Sequence, residues 1–364
     1  MISKKVNKKN QKFKNNFFTK DESRNKREVL ILGIETSCDD TCASIVRNGK
    51  EILSNIVSSQ NDIHEKYGGV VPEIASRKHV EMIDIVINEA ILRSGINIDE
   101  IDAVAVTNRP GLLGSLLVGV GAAKAICYFK KIPLIAINHL KAHIFANMLS
   151  GFDISTLNDK FISLIISGGH SSLYLCDKNL NLSEIGHTVD DAVGEAFDKI
   201  ARYLNLGYPG GPVIDKISKD GDSNFVRFTR PMIQSNDFNF SFSGIKTALI
   251  YRTKKYPELL EEKNIPSLVA SFQAAAVDVL VEKSIKAAEY YNVDKILISG
   301  GVAANSRLRE EFKKVSSKKN IKVFIPPINL CMDNAAMVAS LGYYEYLKNN
   351  FSDLSIDVFS RSDY

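Results

Sequence analysis

Val29-Leu-Ile-Leu-Gly-Ile-Glu35 followed by Thr36-Ser-Cys-Asp-Asp-Thr41 reads as an apolar strand running into an acidic, hydroxyl-rich turn. Residues 42–46 give a second apolar strand, Asn48-Gly49 a tight hairpin turn, and 51–57 a returning strand. The same order comes back further along. Phe161-Ile-Ser-Leu-Ile-Ile-Ser167 is a strand, Gly168-Gly-His-Ser-Ser172 a polar turn and 173–176 a second strand. A turn at 177–179 and a strand at 180–185 complete the unit. One unit used twice predicts a duplicated, two-lobed α/β architecture whose polar turns face each other across a cleft.

The stretches between fit that frame. Val80, Ile83, Ile87, Ala90 and Ile91 give 76–93 the spacing of a helix. A strand at 101–107 enters Pro110-Gly-Leu-Leu-Gly114, a small-residue helix ends near Phe129, and 132–137 is again a strand. Strand, helix, strand is a βαβ unit, so the central strands should be parallel. In the second half, Val193, Ala196, Phe197, Ile200 and Leu204 stripe a helix over 188–204 that ends near Gly207. Tyr208-Pro-Gly-Gly-Pro212 is a rigid turn, and Asp215 begins the next helical stretch. In Asn239-Phe-Ser-Phe-Ser-Gly-Ile-Lys246 aromatic and hydroxyl residues alternate, turning one side inward. Lys295-Ile-Leu-Ile-Ser-Gly-Gly-Val302 ends a strand in a glycine pair, with Asn305 in the first turn of the following helix. Glycine pairs at 168–169, 210–211 and 300–301 expose backbone N–H groups that suit an anion or nucleotide; singly, each is a common βα turn.

Candidate chemistry begins at Ile135-Ala-Ile-Asn-His-Leu-Lys-Ala-His143. Asn138 caps a helix in which His139 and His143 lie one turn apart, the spacing two nitrogen ligands of a divalent metal need. Two polar residues on a half-exposed helix would show the same pattern. The chain has only six histidines, so a pair at this spacing where strand meets helix is informative. Glu35, Asp39 and Asp40 come to the end of the first strand as carboxylates for catalysis, or as ordinary turn residues. Asp333, at the start of an Ala/Met-rich helix, reads as an N-cap.

Composition bounds the rest. The 364 residues are 45% apolar, enough for one large or two ordinary domains. The most apolar stretch, 112–129, holds Lys124 and several glycines and is not a plausible membrane span. Five cysteines without a Cys-x-x-Cys pair suggest neither a disulfide framework nor a cysteine zinc site, and a reducing, cytoplasmic setting follows. Residues 1–28 hold ten Lys or Arg and three Asp or Glu, while the remainder holds 36 basic and 39 acidic residues. The net charge of +4 therefore comes from a Lys/Asn-rich tail. Such a tail is a solvated, disordered extension, a nonspecific RNA-binding arm or an organelle presequence. The expected organisation is that extension (1–28), a first lobe (29–145, with return of 329–364) and a second lobe (146–328).

Taken together, these segments resemble the tRNA N6-adenosine threonylcarbamoyltransferases over everything except the tail. The residues that carry the resemblance begin with Gly33-Ile-Glu-Thr-Ser-Cys-Asp39, Tyr67-Gly-Gly-Val-Val-Pro-Glu73, Pro110-Gly111, His139-x-x-x-His143 and Ser167-Gly-Gly-His170. They continue with Asp190-Asp191, Gly194-Glu-Ala-Phe-Asp198, Tyr208-Pro-Gly-Gly-Pro212, Phe240-Ser-Phe-Ser-Gly244, Ser299-Gly-Gly-Val302 with Asn305, and Asp333-Asn334. Asp40, Asn138, Lys141 and Ala335 stand where Glu, His, Glu and Gly are common in that family.

The resemblance implies an actin/sugar-kinase/Hsp70-like fold and a divalent metal, Fe(II) before Zn(II), on His139, His143 and Asp333. It implies that Ile165, Ile166, Ser167, Gly168, Gly169, Asp198, Gly211, Asp215 and Asn305 hold the nucleotide part of threonylcarbamoyl-AMP. The threonylcarbamoyl group would pass to N6 of adenosine 37 in tRNAs that read ANN codons. Asp39 or Asp40 would take the N6 proton, and AMP would leave. Implied partners are tRNA, a paralogous non-catalytic subunit and an ATPase, with no membrane. Three other classes come into view. A metallopeptidase of the zincin type needs His-Glu-x-x-His, whereas Leu140 follows His139 here. A kinase or ATPase of this fold needs no Walker A motif, and none is present. A catalytically silent subunit would not need the whole metal and glycine set.

Overall fold

The computed structural model describes residues 28–154, 160–178 and 181–361; residues 1–27 of the basic tail and 179–180 of the second hairpin lie outside them. The strands in chain order are β1 (Leu30–Glu35), β2 (Thr41–Arg47), β3 (Glu51–Ser58), β4 (Ala103–Arg109) and β5 (Leu134–Asn138). They are followed by β6 (Phe161–Ile166), β7 (Ser171–Cys176), β8 (Leu182–His187), β9 (Lys295–Ser299) and β10 (Lys322–Phe324). Two five-stranded sheets result, ordered β3-β2-β1-β4-β5 and β10-β9-β6-β7-β8. In each, a three-stranded antiparallel meander is continued by two parallel strands: β1 pairs with β4 and β4 with β5, β6 with β9 and β9 with β10. The second sheet repeats the topology of the first, as the recurring sequence unit predicts.

Alternation along β1 explains the layering. Leu30, Leu32 and Ile34 pack under α1 (Pro72–Ser94) and α2 (Leu113–Lys130), while Ile31 faces α9 (Ala335–Leu347) on the opposite side. Close approach there requires glycine, since a Cβ at Gly33 would lie 2.3 Å from the Ala335 carbonyl. The second half has its own core of Ile162, Leu164, Phe197, Phe272 and Ile298. It is built from α4 (Val193–Tyr203), α5 (Gly210–Ser218), α6 (Ser243–Lys255), α7 (Ile265–Tyr290) and α8 (Ser306–Lys319). A third core joins the halves. Ile135, Ile137 and Phe145 meet Phe161, Ile165 and Leu297 around α3 (His139–Phe145) and α9. The chain then closes on the first half, where Ser352 N–H donates to the Leu134 carbonyl (2.8 Å) and Phe359 N–H to that of Asn108 (2.9 Å).

Several boundaries differ from the sequence reading, each for a local reason. The helix expected over 188–204 starts only at Val193, because Thr188 bridges to Phe240 and its hydroxyl donates to the Asp191 carbonyl. Asp215 lies inside α5, which opens at Gly210. Asn334, not Asp333, caps α9: its side chain accepts from Met337 N–H at 3.0 Å. Among the described residues, two segments are by length and composition apolar enough to cross a membrane, Leu113–Lys130 and Glu262–Tyr290, where the sequence reading found none. The second is 72% buried in the core, and the first lies on β4 with Leu116, Val120 and Ala123 turned inward.

Candidate functional site

The carboxyl ends of β1, β4 and β5 converge, which is where open α/β sheets present ligand-binding groups. β5 delivers the chain into α3. Asn138 accepts from Lys141 N–H (3.1 Å) and caps that short helix, so His139 and His143 project side by side. Their Nε2 atoms lie 3.2 Å apart. Because Asn334 has taken the capping duty, the Asp333 carboxylate is free to turn toward them. Its Oδ1 lies 3.5 Å from His139 Nε2 and 3.2 Å from His143 Nε2. The three residues form a possible metal site. A point equidistant from the three atoms falls about 2 Å from each, the length of a bond from zinc or iron to nitrogen or oxygen. Both rings are nearly inaccessible, as a water-excluded site requires.

Glu35 sits behind this triad. Fully buried, it accepts from Ser37 N–H (2.6 Å) and the Thr107 hydroxyl (2.5 Å), and its Oε2 lies 3.0 Å from His139 Nδ1. That contact puts a proton on Nδ1 and leaves Nε2 to face Asp333. Burial works against charge on His139, but the Asp333 and Glu35 carboxylates hold its pKa up at about 9. Burial likewise opposes ionisation of Asp333, yet the imidazoles outweigh it and keep that carboxyl well below the usual range.

Asp39 and Asp40 lie on the turn after β1. His79 of α1 steadies this turn: it faces the Cys38 carbonyl through Nε2 (3.0 Å) and the Thr41 hydroxyl through Nδ1 (2.7 Å). Burial, then the Asp333 and Asp39 charges, push Asp40 up to about 7, and its Oδ1 has no hydrogen-bond partner among the described residues. Burial also raises Asp39.

The second half supplies a cluster of backbone and carboxylate groups. Ile165 and Ile166 end β6, and the turn from Ser167 to Gly169 follows; a Cβ on Gly168 or Gly169 would meet nothing within 4 Å. Gly300 holds φ at +91° with a would-be Cβ 2.3 Å from the Ile166 carbonyl, so the turns after β6 and β9 touch. Gly301 beside it faces open space, as Gly211 nearly does. Asp198 accepts from Gly210 N–H at 2.7 Å, pinning the start of α5. Asp215 accepts from Ser306 N–H and Oγ (3.1 and 2.8 Å) and from Gln273 (2.8 Å), and Asn305 caps α8 by accepting from Leu308 N–H. The nine residues expected to bind nucleotide therefore lie in one connected group. Asp198 and Asp215, however, already spend at least one oxygen each on protein N–H or O–H groups.

A family model for tRNA N6-adenosine threonylcarbamoyltransferase matches residues 51–340. The chain belongs to that family. Curated threonylcarbamoyltransferases from Syntrophomonas wolfei and Thermosipho africanus are 52% and 50% identical to it. The alignments cover 92% and 90% of this chain and 97% and 98% of the relatives. It is thus a transferase acting on tRNA. Solved structures add the fold alone. HypF from T. kodakarensis aligns with TM-score 0.57 and 15% identity, over 89% of this chain and 48% of its own. Component A of (R)-2-hydroxyglutaryl-CoA dehydratase from Acidaminococcus fermentans gives 0.53 and 13%, over 88% and 99%. The two-lobed α/β architecture of the chain is shared with both.

Sequence reasoning missed several participants. Arg309 ties the glycine turn after β9 to the loop before Asp333, donating to the carbonyls of Ala303 (2.8 Å) and Pro326 (2.5 Å) and lying 3.1 Å from Cys331 Sγ. Nothing in its local pattern, a basic residue on an amphipathic helix, marks it. His170 closes the Ser167-Gly-Gly-His170 turn, and its sequence position alone implies no role. Burial, then the nearby charges of His139 and His143, lowers it to about 4, so it stays neutral beside the triad. Arg202 reaches across to the first half, where a Cβ on Gly68 would lie 2.9 Å from its guanidinium.

Proposed function

We propose that this chain transfers the threonylcarbamoyl group from threonylcarbamoyl-AMP to N6 of adenosine 37 in tRNAs reading ANN codons, with release of AMP. The convergence of His139, His143 and Asp333, together with glycine turns after β6 and β9 whose Gly168, Gly169 and Gly301 face open space, supports this reading. A divalent cation on those three residues, Fe(II) before Zn(II), would supply a Lewis acid to polarise the carbamoyl carbonyl.

The residues of the chain would do the rest. Glu35 orients His139 by taking the hydrogen bond of its Nδ1, which leaves Nε2 as the nitrogen turned toward the cation. The amides of Gly168, Gly169, Gly211 and Gly301 take the phosphate, and Asp198, Asp215 and Asn305 face the nucleoside. N6 of adenine is a poor nucleophile because its lone pair is delocalised, so a nearby base matters. A carboxylate of the Asp39–Asp40 turn accepts the N6 proton as the new bond to the carbonyl carbon forms, and the phosphate–carbamoyl bond breaks to release AMP. Asp40, with its pKa near 7, has the basicity general-base work at neutral pH favours. Accessory subunits would deliver the tRNA and generate the adenylate.

The deciding experiment supplies threonylcarbamoyl-AMP and unmodified tRNA to the purified protein with its partner subunits. Formation of modified adenosine and stoichiometric AMP is expected. Hydrolysis of protein substrates, or ATP turnover with sugars, in place of transfer would overturn the reading.

A further inference from the structure

Two ligand histidines need two outer partners, and the structure gives an evident one only to His139. A histidine that binds metal through Nε2 carries its proton on Nδ1 and has to place that N–H on an acceptor. His139 meets this through Glu35. His143 Nδ1 is buried and has no hydrogen-bond partner among the described residues. The same holds for Asn147 Oδ1, one turn further along.

The backbone places these two atoms on one face. Ala146 (φ −55°, ψ −30°) and Asn147 (φ −69°, ψ −30°) keep right-handed helical geometry past the end of α3, so residues 143 and 147 stand one above the other. Asn147 is fully buried. Its Nδ2 donates to the carbonyls of Ile144 (3.3 Å) and Ile298 (3.4 Å), which commits the amide nitrogen and leaves Oδ1 as the free acceptor. Ser163 Oγ and Ser299 Oγ, on the faces of β6 and β9 that α3 covers, are buried orphans too. Buried polar atoms left without a protein partner are the groups that internal water satisfies, and the Asn147 amide reaches the Ile298 carbonyl next to Ser299.

We propose that Asn147 is the positioning residue for His143: its Oδ1 accepts from one buried water, which in turn accepts the Nδ1 proton of His143. The inference rests on the metal reading above. It adds a mechanical link, because Ile298 immediately precedes Ser299 and Gly300. Asn147 thereby ties a ligand of the first half to the strand whose end forms the glycine turn.

The test uses the full chain stripped with a chelator and titrated with Co(II) and Zn(II), with affinity and the visible Co(II) spectrum as readouts. Asn147→Leu removes the acceptor at similar size and should weaken binding 10- to 100-fold and alter the Co(II) bands. Asn147→Asp restores an acceptor at the same reach and should recover most of the loss. Equal losses in both variants would mean packing alone is at work and would overturn the inference, as would wild-type binding by Asn147→Leu. Should Asn147→Leu not fold, NMR of zinc-loaded wild type labelled with ¹⁵N-histidine decides: a slowly exchanging Nδ1 proton on His143 supports the inference, an unprotonated Nδ1 refutes it. His143→Leu separates the two claims. If wild type binds no metal, the metal reading falls and takes this one with it. If wild type binds, His143→Leu does not and Asn147→Leu binds normally, only the role of Asn147 falls.

Discussion

Nδ1 of His139 and Oε2 of Glu35 are 3.0 Å apart, both out of reach of bulk water. A carboxylate in that position fixes a ring tautomer and strengthens the opposite nitrogen as a donor. Glu35→Gln preserves size while removing the charge, so zinc affinity should fall at least about tenfold in a competition titration. Glu35→Ala should also unfold more easily, by about 1–3 kcal/mol, because Ser37 N–H and the Thr107 hydroxyl lose their acceptor. Unchanged zinc affinity in Glu35→Gln would remove Glu35 from the metal's surroundings.

Asp40 makes stability depend on pH in an unusual direction. Burial, then the Asp333 and Asp39 charges, push its carboxyl up to about 7 in the folded chain, against an ordinary value of 3.8. Between those values the folded state holds a proton that the unfolded state releases. The stabilising contribution is complete below about pH 4 and is lost as pH rises to about 7. Asp40→Asn lacks this loss, so in chelator at pH 8 it should exceed wild type by up to about 4 kcal/mol, the gap narrowing toward pH 5. Denaturant melts at the two pH values measure it; parallel curves would show that Asp40 is not strained.

The two glycines after β9 should behave oppositely. Gly300→Ala forces a Cβ into the Ile166 carbonyl at a left-handed φ and should lower stability by more than about 2 kcal/mol. Gly301→Ala meets nothing within 4 Å, so the melting temperature should barely move. If the Gly301 amide approaches a phosphate, AMP affinity should nonetheless drop several-fold by calorimetry. Normal AMP binding by Gly301→Ala would show that this backbone does not touch the nucleotide.

Arg309 offers a test of how the Asp333 loop is held. Arg309→Met keeps the apolar stem but leaves the Ala303 and Pro326 carbonyls without this donor. Stability should fall by about 1–3 kcal/mol, and Cys331, now buried, should react faster with thiol reagents in the folded state. A Cys331 labelling rate equal to wild type would mean that the loop does not depend on this guanidinium.

What could be read from the sequence was whatever repeats or carries local periodicity. Two meanders, the first hairpin and the helix after β5 follow from alternation, Asn48-Gly49 and the Asn138 cap, and the structure has them. Local pattern failed where a residue's partner lies far along the chain. Asp333 looked like a cap because caps are acidic, yet its neighbour Asn334 does the capping and only the fold brings Asp333 to the imidazoles. Glu35 looked like a group for the cleft, while packing of β1 against β4 and α3 surrounds it with Thr107 and His139. Thr188 broke the expected helix through a bridge to Phe240, which no helical stripe reveals.

The three candidate donors are far apart in the chain. His139 and His143 share one short helix, whereas Asp333 comes from the loop that opens α9. A cation held by all three would staple α3 to that loop, so its affinity would report on the docking of α9 against β1 as much as on the ligands themselves.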